Sequence, residues 1–129
     1  MGSLRFWSRI RFFMKFCGVA VIVLLVIAAL GPAKWQPRTG LSWEIEHFAG
    51  YSVATTILLL AWPRPLVVGG ALVAVAGLLE CLQALTLDRS SYYVAALYGA
   101  GGALAAAVLA ELFIRAFSNE ASKAGPGSY

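Results

Sequence analysis

The sequence predicts an all-α protein: an integral membrane bundle of four transmembrane helices with both termini in the cytoplasm. Of its 129 residues, 60% are hydrophobic and 12% are charged, and the mean hydropathy is +0.79. This composition is too apolar for an ordinary soluble domain. Several apolar stretches approach the roughly 20 residues with which a helix crosses a bilayer. These stretches are continuous, whereas the lipid-facing strands of a membrane barrel alternate apolar and polar residues.

The positive charge is concentrated at the start of the chain. The net charge is +4, and four of the ten basic residues lie among the first fifteen, between phenylalanine and tryptophan residues: Arg5, Arg9, Arg11 and Lys15. A basic and aromatic segment beside an apolar stretch is typical of a membrane interface that faces anionic lipid. Residues 1–15 are therefore predicted to form a basic interfacial segment that contacts anionic lipid, and nucleic acid is not an expected partner.

The first predicted span covers residues 16–30 and ends at Gly31-Pro32. A basic start, a short apolar core and small residues up to Ala33 also fit a cleaved signal peptide. We favour a retained anchor, because aromatic residues lengthen the apolar stretch upstream. Removal of this span would leave the orientation of the remaining three unchanged.

Three further spans follow a polar loop. The loop, residues 31–46, contains Glu44 and Glu46, which we expect to be solvated loop acids. The second span is predicted at about 47–62, the third at about 66–85 and the fourth at about 92–114, so that the transmembrane domain covers 16–114. Residues 115–129 are predicted to form a polar, disordered tail.

The distribution of Lys and Arg predicts the orientation. Basic residues are enriched in the cytoplasmic flanks of membrane helices. The N-terminal segment, the turn at 63–65 and the tail together hold seven, whereas the other side holds three: Lys34, Arg38 and Arg89. Both termini are therefore expected on the cytoplasmic side.

Glu80 is the residue that most needs an explanation. A carboxylate deep in an apolar helix is costly, so it is a candidate functional residue. Gln83 follows at i+3 and shares its helix face, while His47 and Tyr51 share a face at i, i+4. In the predicted topology these four residues converge near the outer leaflet, and Arg89 follows the end of the third span.

Several interpretations of this polar cluster are open. In the first, its members only join helices, since interhelical hydrogen bonds modestly stabilise membrane bundles. We favour a pocket for an envelope component or lipid head group, in which Arg89 attracts an anionic group and Glu80 and Gln83 accept and donate hydrogen bonds. An enzyme with Glu80 or His47 as the general base, and a structural or partner subunit without activity, are the alternatives.

Other chemistry is not expected. One histidine and two distant cysteines, Cys17 and Cys81, provide neither a zinc site nor a disulfide framework, and no cofactor or metal is predicted. Small residues recur every four positions in the fourth span, at Ser91, Ala95, Gly99, Ala103 and Ala107. Such a stripe permits close helix packing, inside the bundle or between two copies in a homo-oligomer.

Several motifs together resemble the VanZ-like family of small bacterial multi-pass membrane proteins. They are EHFAGY at 46–51, ECLQ at 80–83, RS at 89–90 and a glycine-rich last helix. The resemblance covers about residues 20–112 and implies a location in the bacterial inner membrane. The family's namesake confers low-level teicoplanin resistance, which implies a role in the cell envelope and a ligand related to envelope lipids or glycopeptides. The family's usual Asp and Asn at the start of the last helix are Tyr92 and Ala96 in this sequence.

Overall fold

Four helices form the protein in a computed structural model, which describes residues 2–35, 39–85 and 93–123. Within these ranges there is no strand, and a short 3-10 turn, Ala33–Trp35, follows the first helix. The helices are α1 Gly2–Leu30, α2 Trp43–Ala61, α3 Pro65–Gln83 and α4 Tyr93–Lys123. The prediction of an all-α bundle is therefore confirmed.

The helix ends follow from local sequence. α1 ends at Gly31-Pro32, where proline cannot continue the helical hydrogen-bond pattern. Ser42 precedes α2 in an extended conformation, as expected for an N-cap residue. Pro65 occupies the first turn of α3, where its missing N–H costs no hydrogen bond. Gly40 has a φ of 81° in the loop before α2, a conformation that favours glycine.

Three helices are longer than predicted. α1 includes most of the basic segment 1–15, and α4 continues through residues 115–123 of the expected tail. In α4 the extension is supported by the Arg115–Glu111 ion pair, at 2.8 Å, and by ring contact between Phe113 and Phe117. α2 begins at Trp43, so Glu44 and Glu46 belong to its first turn. The expectation that they are loop acids is therefore wrong. Acids are favourable in this position, because they stabilise the positive N-terminal end of a helix.

α4 is the helix against which α2 and α3 pack most extensively, while α1 packs on α2 and α3. Small residues make this packing close. A Cβ added to Gly102 would overlap the carbonyl oxygen of Phe48 on α2, and one added to Gly69 would lie 2.5 Å from the Ala107 Cβ. Ser52 Oγ also lies 3.1 Å from the carbonyl oxygen of Gly102. The backbones of neighbouring helices therefore touch with few intervening side chains.

The small-residue stripe of α4 faces the inside of the bundle. Ala95, Gly99, Ala103 and Ala107 are all buried within the chain, whereas Ser91 lies outside the described residues. These four residues therefore pack against the neighbouring helices and are unavailable to a second copy. A homo-oligomer through another face of α4 stays a prediction.

Successive helices alternate in direction. Gln83 at the end of α3 contacts Ala29 at the end of α1, and Tyr51 in the first half of α2 lies against Gly99 early in α4. The C-terminal ends of α1 and α3 thus meet the N-terminal ends of α2 and α4. This end of the bundle, which we call the polar end, contains His47, Tyr51, Glu80 and Gln83.

Three helical segments are long and apolar enough to cross a membrane: Phe6–Leu30, Pro65–Gln83 and Tyr93–Ala121. α2 is not among them, because its first turns carry acids and a histidine. Large apolar side chains also cover the outside of the bundle, including Phe12 at 75% exposure, Leu66 at 64% and Leu109 at 67%. Surfaces of this kind need a nonpolar environment, so the structure supports a membrane protein.

The glycine contacts predict the effect of a single methyl group. We expect Gly102→Ala to destabilise the bundle by about 1–3 kcal/mol, because the added Cβ must push α2 away from α4. Gly70→Ala is the matched control, since its Cβ would enter open space. Thermal unfolding in detergent measures both variants. Equal melting temperatures for Gly102→Ala and Gly70→Ala would contradict a close backbone contact between α2 and α4 at Gly102.

Candidate functional site

The polar end encloses a cavity of about 540 Å³, a size typical of small-molecule sites. All four helices contribute to its wall, together with the loop that precedes α2. Apolar residues form most of the wall, and polar groups occupy a small part of it. The lining residues include Leu25, Ala28, Thr39, Trp43, Glu46, His47, Gly50, Tyr51, Val53, Glu80, Gln83 and Ala96.

Four of the five predicted site residues line this one cavity. His47 and Tyr51 reach it from α2, and Glu80 and Gln83 reach it from α3. The fifth, Arg89, lies outside the described residues, so its expected approach to Glu80 stays a prediction. Helical spacing places each pair on one face, and the bundle brings the two faces together.

Tyr51 lines the cavity and is 8% exposed. Its ring packs against Gly99 of α4: a Cβ added to Gly99 would be 2.9 Å from two ring atoms. Glycine at position 99 therefore makes room for the ring. Tyr51 is a core residue that also belongs to the wall of the site.

His47 is held in one orientation by its own helix. Its Nδ1 lies 2.8 Å from the carbonyl oxygen of Trp43. Because a carbonyl only accepts, Nδ1 carries the proton of the neutral ring and Nε2 is left as an acceptor. The Trp43 indole packs edge-on against the imidazole, with ring centroids 5.9 Å apart. This arrangement leaves one basic nitrogen, Nε2, for a ligand or a proton.

Gln83 joins two helices. Its Nε2 donates a 2.8 Å hydrogen bond to the carbonyl oxygen of Ala29. That carbonyl belongs to the last turn of α1, where helix geometry provides no intrahelical donor. At least this bond of Gln83 therefore joins two helices, as one interpretation of the polar cluster expects.

Glu80 lies one turn deeper than Gln83 and is half-buried. Its carboxylate side chain forms part of the cavity wall between α3 and α2. A carboxylate offers about four acceptor positions, so it can bind a ligand in addition to a protein partner. Within the described lining, Glu80 and Glu46 are the acids, and this part of the wall contains no Lys or Arg.

Glu46 and Thr39 are site residues that sequence reasoning missed. The Thr39 backbone N–H donates to Glu46 Oε1 at 3.1 Å, and the Thr39 hydroxyl donates to the same oxygen. These bonds hold the loop before α2 against the cavity. The position of Glu46 in a first helical turn, next to His47, is the signal that would have placed it beside the predicted site.

Trp43 is a third residue that the sequence did not assign to the site. Besides His47, its indole contacts Tyr98 of α4 edge-on, with ring centroids 6.0 Å apart. Edge-to-face pairs of this kind are favourable. Trp43 therefore connects the first turn of α2 to α4 and supports the histidine from one side.

Because Thr39 binds the carboxylate of Glu46, we expect the attachment of the loop before α2 to depend on pH. These hydrogen bonds favour the charged carboxylate, so the pKa of Glu46 is lowered from its ordinary value of 4.5. A group whose pKa is lower in the folded state stabilises that state above its unfolded pKa, and the effect is lost as the pH falls through the lowered pKa. We expect Thr39→Val to raise the Glu46 pKa, as measured by carbon NMR of the side-chain carboxyl.

Thr56→Val is the control for this titration. The Thr56 hydroxyl donates to the Ser52 carbonyl oxygen on the same helix, away from Glu46, so the pKa of Glu46 should keep its wild-type value. A Glu46 pKa that is unchanged in Thr39→Val would contradict the proposed attachment of the loop.

Comparisons with protein-family models, with curated proteins and with solved structures found no match to this chain. The structural geometry and the motifs are therefore the basis for a function.

Proposed function

We propose that the chain is a VanZ-like multi-pass protein of a bacterial inner membrane, whose cavity at the polar end binds an envelope component or a lipid head group. In this proposal both termini are cytoplasmic, so the cavity opens at the outer leaflet. The observation that carries the proposal is the meeting of His47, Tyr51, Glu80 and Gln83 around one cavity. These residues belong to EHFAGY and ECLQ, two of the motifs that carry the resemblance.

The chemical character of the cavity lining supports an amphipathic ligand. Its wall is mainly apolar, and Glu46, Glu80 and His47 add polar groups to it. Sites that orient small molecules commonly combine an apolar wall with a few polar groups. A head group would exchange hydrogen bonds with this polar part, and Arg89 would attract an anionic group of the same ligand.

The position of Ala96 is consistent with an altered member of the family. Ala96 stands where the resemblance implies an Asn, and its side chain lines the cavity. An Asn there would add one donor and one acceptor to the wall. This chain would therefore bind with fewer polar contacts than the family pattern implies, and we do not extend teicoplanin resistance to it.

The geometry of His47 favours a second candidate function, an enzyme acting on a lipid-linked envelope substrate. With Nδ1 held by the Trp43 carbonyl, Nε2 can accept a proton, as a general base must. Glu80 would then bind or polarise the substrate. This function requires turnover, whereas the binding pocket requires none.

A third candidate is a structural or partner subunit. The bond from Gln83 to Ala29 supports this function, because it shows one polar residue of the cluster joining two helices. In such a protein Glu80 would be equally structural, and its replacement would lower stability without any effect on a bound molecule.

The proposed orientation predicts the location of both chain ends. A reporter fused after Tyr129 should be cytoplasmic, because seven basic residues flank that side and three flank the other. The same reporter fused within the loop after α1, behind Lys34, should be periplasmic and is the matched control. A periplasmic C-terminus would place the cavity on the cytoplasmic side and contradict this part of the proposal.

The first test of binding replaces the carboxylate of Glu80 by an amide of the same shape. We expect Glu80→Gln to accumulate in the membrane and to melt at or above the wild-type temperature, because it removes a costly charge. Amphiphiles that copurify with the protein would be extracted and quantified by mass spectrometry. The wild type should retain a component that the variant loses.

Glu111→Gln is the matched control, since it removes another helix carboxylate, which is paired with Arg115 far from the cavity. It should retain the bound component. A clearly lower melting temperature for Glu80→Gln, with unchanged bound amphiphile, would favour a structural role. Chemical conversion of the component by the wild type would favour the enzyme.

A further inference from the structure

Two basic side chains of α1 lie on the face of that helix that packs against the bundle. Gly18 marks this face, because a Cβ added there would be 2.8 Å from the indole of Trp62, the residue that follows α2. Lys15 and Arg11 precede Gly18 by three and seven residues, so helical spacing places them on the same face. Both residues are exposed. The bundle side of α1 therefore presents two accessible cations.

Arg64, in the turn between α2 and α3, lies near the level of these cations. α1 and α3 run in the same direction, and at their ends Gln83 Nε2 donates to the Ala29 carbonyl oxygen. Pro65 and Arg11 stand eighteen residues before Gln83 and Ala29 respectively, which is about 27 Å along each helix. Because Arg64 directly precedes Pro65 and is exposed, its side chain is available beside the basic face of α1.

These three residues, Arg11, Lys15 and Arg64, which we call the basic cluster, lie at a boundary of the membrane. α3 is apolar enough to cross a bilayer, and its 19 residues measure about 28 Å, close to the roughly 30 Å hydrocarbon core. The start of α3 is thus at the level of the lipid head groups. Lys15 lies one turn nearer the centre, from where its long side chain can extend to the same level.

The described residues provide no carboxylate that is ion-paired with the basic cluster. Among them the ion pair is Arg115–Glu111, at 2.8 Å. Glu111 lies one turn after Ala107, which packs on Gly69 near the start of α3, so this acid belongs to the same end of the bundle and Arg115 neutralises it. The positive charge of the basic cluster is therefore available to an external anion.

Arg9 is a cation on the opposite side of α1. It precedes Gly18 by nine residues, which is two and a half turns at 3.6 residues per turn, so it points away from the bundle. Phe13 and Phe16 follow it at i+4 and i+7 and are 59% and 65% exposed. The sequence predicts contact of the whole segment 1–15 with anionic lipid, whereas the structure divides its cations between two faces.

We propose that the basic cluster binds the phosphate of an anionic membrane lipid at the end of the bundle opposite the polar end. Guanidinium and ammonium groups donate charge-assisted hydrogen bonds to phosphate oxygens. Trp62, which is 38% exposed, adds an aromatic ring of the kind that favours this level of a membrane. The inference does not depend on a ligand in the cavity or on the orientation of the chain. Charge complementarity at the head-group level carries it.

The experiment titrates the detergent-solubilised full chain with dioleoyl phosphatidylglycerol and with dioleoyl phosphatidylcholine, and measures both affinities by native mass spectrometry. Wild type should bind phosphatidylglycerol more tightly. Arg11→Gln, Lys15→Gln and Arg64→Gln should each weaken its binding about fivefold, the equivalent of about 1 kcal/mol per basic residue. Their affinity for phosphatidylcholine should change little. Arg9→Gln is the matched control, because it removes the same charge from the opposite face of α1, and it should bind phosphatidylglycerol like wild type.

Three results would overturn the proposal. An equal loss in Arg9→Gln would show attraction by net charge without a site on the bundle side. Unchanged phosphatidylglycerol affinity in both Lys15→Gln and Arg64→Gln would exclude the basic cluster. Displacement of the lipid by an equal concentration of inorganic phosphate would show that a soluble phosphate compound is the occupant.

Wild-type protein in rising salt gives a second measurement if a variant does not fold. Its preference for phosphatidylglycerol should fall as the salt concentration rises, because ions screen exposed charges. A preference that does not depend on salt would contradict binding by the basic cluster.

Discussion

The close approach of α2 to α4 is the constraint on which the rest of the structure depends. Gly102 lets the α4 backbone touch the carbonyl of Phe48, and Gly99 receives the ring of Tyr51. In a bilayer, where apolar surface gains little by leaving lipid, contacts of this kind supply much of the force that holds helices together. The contact also sets how far the first turns of α2 stand from α3, and hence the width of the cavity.

Several polar groups of the site form hydrogen bonds within the protein itself. Gln83 donates to the last turn of α1, His47 donates to the carbonyl of Trp43, and Glu46 accepts from Thr39. The bond from Gln83 also satisfies a carbonyl in the last turn of α1, which lacks an intrahelical donor. Each bond also fixes a side chain in the wall, so structural and binding roles are compatible in the same residue.

α1 packs less extensively against the rest of the bundle than the other helices do. α1 packs on α2 and α3, while the most extensive contacts join α4 to α2 and α3. A second cavity of about 230 Å³ lies between α1 and α2, and four of its seven lining residues also line the larger cavity.

Local sequence determined the all-α fold, the helix breaks near Gly31-Pro32 and Pro63, and the pairing of His47 with Tyr51 and of Glu80 with Gln83, because proline, glycine and helical spacing act over a few residues. The continuation of α4 beyond Ile114 is also local, since it is supported by contacts within the helix, although the apolar pattern did not predict it. The contact of Trp43 with Tyr98 and the enclosure of one cavity by all four helices were decided by the tertiary structure, because they depend on the distances between helices. These distances are set by backbone contacts at single glycines, which hydrophobic periodicity does not describe.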